Sequence, residues 1–129
     1  MSYEAVDPSQ WKTFFDSFSR HLSRQQVEIE IVGLDVGDQI ESEWRPLGGL
    51  TYDPRSDTLY VFIAERDSDI GHAIVGPTEV WAEFGDEGLS SVVVMDRDGH
   101  KQFVRFRTPL ELPPAARDSL TGGGPSPAA

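Results

Sequence analysis

Asp7-Pro8-Ser9-Gln10-Trp11-Lys12-Thr13-Phe14-Phe15-Asp16-Ser17-Phe18 is the stretch on which the fold turns. Trp11, Phe14, Phe15, Phe18 and Leu22 fall at i, i+3, i+4, i+7 and i+11, the spacing that places five apolar side chains on one helix face. The local signals upstream agree. Asp7 can accept from the first-turn N–H groups, Pro8 loses nothing at the first helical position, and Gln10 completes an aspartate form of the capping box. Val6 and Trp11 occupy the two positions of a hydrophobic staple, and Arg20, His21 and Arg24 suit the negative end of the helix dipole. The spacing predicts a helix from Pro8 to about Leu22.

Beyond Gln26 the period changes from 3.6 to two. Val27, Ile29 and Ile31 alternate with Glu28 and Glu30, and a second strand over Gln39–Arg45 turns Ile40 and Trp44 inward. Pro46-Leu47-Gly48-Gly49 reads as a break before a short strand at Leu50-Thr51-Tyr52. Thr58–Ala64 is apolar on both alternations, which predicts a central strand covered on both faces. Further strands are expected around His72–Val75, Glu79–Phe84, Ser91–Met95 and Gln102–Thr108, the last two joined by an Asp98-Gly99 hairpin turn. The connections are too short for parallel crossovers. The expected fold is therefore α+β but mainly β: one N-terminal amphipathic helix packed on a curled, mostly antiparallel, barrel-like sheet. Residues 1–112 form the expected globular domain, and residues 113–129, rich in Pro and Gly, read as a disordered tail.

Bulk properties narrow the function classes. The chain has no cysteine, which excludes a thiolate metal site, a cysteine nucleophile and a disulfide framework. A net charge of −11 repels phosphate backbones and anionic headgroups, so neither nucleic acid nor membrane is an expected partner. No apolar run approaches the ~20 residues of a membrane span, and Met1-Ser2-Tyr3-Glu4-Ala5 lacks a basic region followed by an apolar core. The expected location is the cytoplasm.

Candidate chemistry is sparse. His21, His72 and His100 share no metal-ligand spacing, and no nucleophile elbow, P-loop or dinucleotide fingerprint is present. No metal, no cofactor and no catalytic residue is expected. His72 follows Glu65, Asp67 and Asp69, so a carboxylate-polarised base is weighed against a polar residue satisfied on a half-buried strand, and the second reading is the simpler. Asp96-Arg97-Asp98-Gly99 opens like a calcium loop but lacks the later bidentate glutamate, and the hairpin explains it. Glu28/Glu30 and Glu41/Glu43 share strand faces and read as solvated. In the last strand Phe103, Arg105 and Arg107 stand opposite Val104 and Phe106. Those arginines are expected to meet cross-strand carboxylates, or else to anchor an acidic or aromatic partner.

The chain resembles a bacterial family known only as domain of unknown function 5335. The resemblance rests on Trp11, Phe14-Phe15-Asp16 and Phe18-Ser19-Arg20, then Pro46-Leu47 with Gly49, His72, Ile74 and Pro77-Thr78, and last Asp98-Gly99 with Phe106. It covers the chain to about Leu112 and implies a small bacterial domain, with no activity or ligand attached. The leading expectation is a non-catalytic interaction or accessory module with a protein partner or a second copy of itself. The alternative is a small-molecule-binding barrel or enzyme, with Trp44, Tyr52, His72 and Trp81 near one pocket mouth.

Overall fold

The computed structural model describes residues 2–19, 25–65, 68–111 and 120–124. Its strands are β1 (Ser2–Val6), β2 (Gln26–Gly33), β3 (Gly37–Asp53), β4 (Thr58–Glu65), β5 (Ser68–Val75), β6 (Pro77–Gly85), β7 (Gly88–Asp96), β8 (Lys101–Leu110) and β9 (Leu120–Gly124). Between β1 and β2 lie a 3-10 turn at Pro8–Gln10 and the helix α1 (Trp11–Ser19). The strands pair antiparallel in the order β5-β4-β3-β2-β8-β7-β6-β1-β9. Among the described residues the fold is thus mainly β with one short helix, and the sheet is not closed into a barrel.

The predicted N-terminal signals act where they stand. Asp7 Oδ1 accepts from Ser9 N at 2.9 Å, and Gln10 N donates to the Asp7 carbonyl. Three residues of 3-10 geometry precede the α-helix, because Pro8 and the tight Asp7–Gln10 bond wind the first turn more narrowly. Residues 20–24, including the predicted end at Leu22, lie outside the described residues. Trp11, Phe14 and Phe15 are buried while Lys12 and Thr13 are exposed. The Trp11 ring meets Tyr52 of β3 edge-on at 5.3 Å, and its Nε1 donates to the Val6 carbonyl at 3.0 Å. The staple position is therefore also a hydrogen bond, which ties the helix to β1.

Three strand expectations are corrected. Pro46-Leu47-Gly48-Gly49 does not end a strand: β3 runs through it and exchanges partners there, from β2 (Gln26 opposite Pro46) to β4 (Leu47 opposite Ile63). Register shifts on both sides of Ile29 and a positive φ of 46° at Trp44 bend β3 just before that exchange. The strand apolar on both faces is β7, where Ser91, Val92, Val93 and Val94 are all buried, whereas Tyr60, Phe62 and Ala64 of β4 are only half-buried on their outer face. Finally, Leu120–Gly124 is not part of a disordered tail. It pairs with β1, Leu120 facing Val6 and Gly124 facing Tyr3.

The bend in β3 has a large consequence. Four strand spacings separate β5 from β8, about 19 Å in a flat sheet. Yet His72 Nε2 on β5 lies 2.8 Å from Gln102 Oε1 on β8. The sheet therefore folds over its inner face, and α1 fills that face with Phe14 and Phe15 beside Leu50, Leu59, Val61 and Ile74. Among the described residues no helix is long and apolar enough to cross a membrane.

Candidate functional site

Where the sheet folds over, the core is not filled to its rim. Ile29, Glu41, Arg45, Ile63, Ile70, Gly71 and His72 line a cleft of about 300 Å³, drawn from β2, β3, β4 and β5. Ile70, His72 and Ile74 stand opposite Ile63, Val61 and Leu59, so alternation turns all three inward. Ile74 is fully buried, His72 half-buried, and Ile70 at the mouth is 52% exposed. Glu41, beside the β3 irregularity, lines the mouth of the cleft while remaining exposed, as its reading as part of a solvated pair expects.

His72 is held by a chain of polar groups. Gln102 Oε1 faces its Nε2, and Gln102 Nε2 donates to Asp96 Oδ2 at 2.9 Å. Gln102 and Asp96 are only 5% and 7% exposed. Asp96 Oδ1 accepts from the backbone N–H groups of Asp98 and His100, both at 3.0 Å. Gly99, at φ +82°, completes that hairpin as the Asp-Gly signal predicted. Asp96 is thus a turn-organising carboxylate with one oxygen left for Gln102. His72 is partnered by this glutamine, and the side chains of Glu65, Asp67 and Asp69, the carboxylates weighed as its polarising partners, lie outside the described residues.

A second histidine closes the chain at the surface. His100 Nε2 lies 2.7 Å from Asp35 Oδ1, and its Nδ1 is 3.5 Å from Asp96 Oδ2. Gly33 permits this, since a Cβ there would stand 2.4 Å from His100 Cδ2. The hydrogen bond to Asp35 raises the His100 pKa above the usual 6.5, helped by the Asp96 charge, and the same bond lowers Asp35 below 3.8. Stability from His100 is complete below about pH 6.5 and lost as pH rises through its raised pKa; that from Asp35 is present above about pH 3.8 and lost as pH falls through its lowered one. The stability gap between the protein and its His100→Gln variant should therefore narrow in urea titrations as pH rises from 6 to 9. A gap constant across that range would remove the ion pair from the account.

The other sequence-predicted residues do not converge on His72. Tyr52 lies under α1, its hydroxyl 2.6 Å from Asp57, with burial and that bond pushing its pKa up to about 12. Trp44 stands at the β3 bend with the Arg107 guanidinium 5.8 Å from its ring, and Arg107 donates to Gln26 at 2.8 Å. Trp81 borders a separate hollow of about 240 Å³ beside Pro8 and Trp11, and its Nε1 donates to Glu79. Trp81 and Phe103 do flank Val93 across neighbouring strands on the outer face.

On that outer face the charges satisfy one another. Arg105 lies 4.5 Å over the Phe103 ring and bonds both Glu28 and Glu30, whose side chains are 17% and 13% exposed rather than solvated. In the next register positions Ser91 donates to Glu83 at 2.7 Å, and a hydrogen bond to the same glutamate raises the Tyr3 pKa. Sequence reasoning missed Gln102 and Asp96 as site residues. Asp96 was weighed only as the opening of a calcium-like loop that the hairpin explains, and for Gln102 the signal was a polar side chain at an inward-facing position, alternating in phase with Val104 and Phe106. Among the described residues no group of three or more His, Asp or Glu is placed to hold a metal ion.

A family described only as of unknown function, DUF5335, matches residues 2–115. An uncharacterized protein of Aquifex aeolicus (strain VF5) is 33% identical over 113 residues, 88% of this chain and 99% of that protein. No solved structure matches the chain.

Proposed function

This chain belongs to the family of unknown function DUF5335, and we propose that it is a small binding domain of the bacterial cytoplasm that holds a small molecule in the His72 cleft. The observation that carries this reading is the chain His72–Gln102–Asp96. It immobilises a half-buried histidine at the wall of a hollow that Ile29, Ile63 and Ile70 share with Glu41 and Arg45, at the cost of burying an amide and a carboxylate. A wall of Ile29, Ile63 and Ile70 with a few fixed polar groups is the composition of a ligand site, and about 300 Å³ is at the small end of such sites.

Binding is favoured over catalysis by the donor set. Among the described lining residues there is no hydroxyl, amine or thiol for His72 to activate. Interaction through the outer face is less well supported, because Arg105, its strongest anchor, is already met by Glu28 and Glu30. A fragment library screened by methyl NMR tests the reading. Fragments are expected to shift the methyls of Ile29, Ile63 and Ile70, and Ile70→Trp, which fills the mouth from an exposed position, should abolish those shifts. A library that leaves all three unmoved at millimolar concentration overturns it.

A further inference from the structure

We infer that the occupant of this cleft is a primary aliphatic ammonium, and that its –NH₃⁺ group donates to His72 Nδ1 and to Glu41. The inference rests on the cleft being a ligand site, and adds the chemistry of the ligand. It begins from Asp96, whose Oδ1 is occupied by two backbone N–H groups and whose Oδ2 faces the Gln102 side chain. A carboxylate only accepts, so the Gln102 amide must turn its NH₂ to Asp96 and its oxygen to His72. That oxygen in turn only accepts, so His72 Nε2 carries the ring proton.

When the ring holds that proton alone, Nδ1 is a lone pair, and among the described residues no hydrogen bond is made to it. The second acceptor on the cleft is the exposed Glu41 carboxylate. Two acceptors beside an isoleucine wall select a ligand with several donors on one atom and a branched or short aliphatic body. A primary ammonium meets that description, and a net charge of −11 draws cations toward the chain.

The test has two arms. In the first, long-range ¹H–¹⁵N spectra of the free protein should show His72 with Nε2 protonated and Nδ1 bare; the opposite tautomer overturns the inference without any ligand. In the second, 3-methylbutylamine, L-leucine and 4-methylpentanoate are titrated while the Ile29, Ile63 and Ile70 methyls are followed. The amine and leucine should bind and the carboxylate should not. Glu41→Gln, an exposed and isosteric change, should weaken binding of the amine by about tenfold or more, the scale of a lost hydrogen bond to a charged group. His72→Phe should do the same. If the carboxylate binds as well as the amine, or Glu41→Gln changes nothing, the ligand class is wrong while the cleft reading stands. If none of the three probes binds although other fragments move those methyls, the ligand class is again wrong; if no fragment moves them, the cleft reading itself fails.

Discussion

Phe15→Ala is expected to lower the unfolding free energy by about 3–5 kcal/mol, the range for emptying a fully buried aromatic site. Phe15 is inaccessible to solvent and packs edge-on to Phe14, their ring centres 5.2 Å apart. The cost should sit at the upper part of that range, because the folded-over sheet holds both walls of the cavity and cannot collapse onto it easily. Removing Trp11 should be similarly expensive for a different reason. Its indole is both edge-packed on Tyr52 and hydrogen-bonded to the Val6 carbonyl, so Trp11→Phe loses the bond alone, about 1 kcal/mol or somewhat more. Urea denaturation of the three proteins measures this directly. Losses below about 1 kcal/mol for Phe15→Ala would mean that α1 is not part of the cooperative core.

The second large effect is expected at Asp96, where a change of one atom should reverse a line of hydrogen bonds. In Asp96→Asn the amide can keep an oxygen on the Asp98 and His100 N–H groups only by turning its NH₂ toward Gln102. Gln102 must then rotate, presenting its oxygen to Asn and its NH₂ to His72 Nε2. His72 is forced to move its proton to Nδ1, and the cleft loses its acceptor. The fold should survive this with a loss of about 1–2 kcal/mol, since every group remains bonded, while amine binding should disappear. Asp96→Ala, by contrast, strands the two turn N–H groups and the Gln102 amide, and should cost about 3 kcal/mol. Histidine ¹⁵N shifts report the tautomer and denaturation the stability. A His72 tautomer unchanged in Asp96→Asn would show that the two residues are not coupled through Gln102.

Much of the element pattern was legible from short-range chemistry. The Asp7 cap, the buried face of Trp11, Phe14 and Phe15, the alternation of β2 and the Asp98-Gly99 turn all depend on groups within a few residues of one another. β1, β9 and the uninterrupted β3 were not legible, and for one reason. Tyr3–Val6 and Leu120–Gly124 have little strand pattern of their own, and they are strands because each lies along another. Pro46 survives inside β3 because the strand is changing partners there, so a missing N–H interrupts no continuous ladder. Trp44, Tyr52 and Trp81 were grouped around one pocket because each is a large aromatic on a strand, but the bend at Trp44 and the cover provided by α1 send them to separate places.

His72 marks the boundary between the two kinds of information most clearly. Alternation along β5 is enough to place it on the inner face with Ile70 and Ile74, since period two follows from backbone geometry alone. What lies across from it is another matter. Gln102 is thirty residues away in the chain and four strands away in the sheet, and the two meet only because β3 bends and the sheet folds over. The sequence by itself determined the helix, the facing of the strands and the absence of thiol chemistry, all of which are local or compositional. The tertiary structure alone decided that Asp96 and Gln102 would orient His72, because hydrogen-bond partners in a curved sheet are set by curvature, and curvature is a property of all the pairings together.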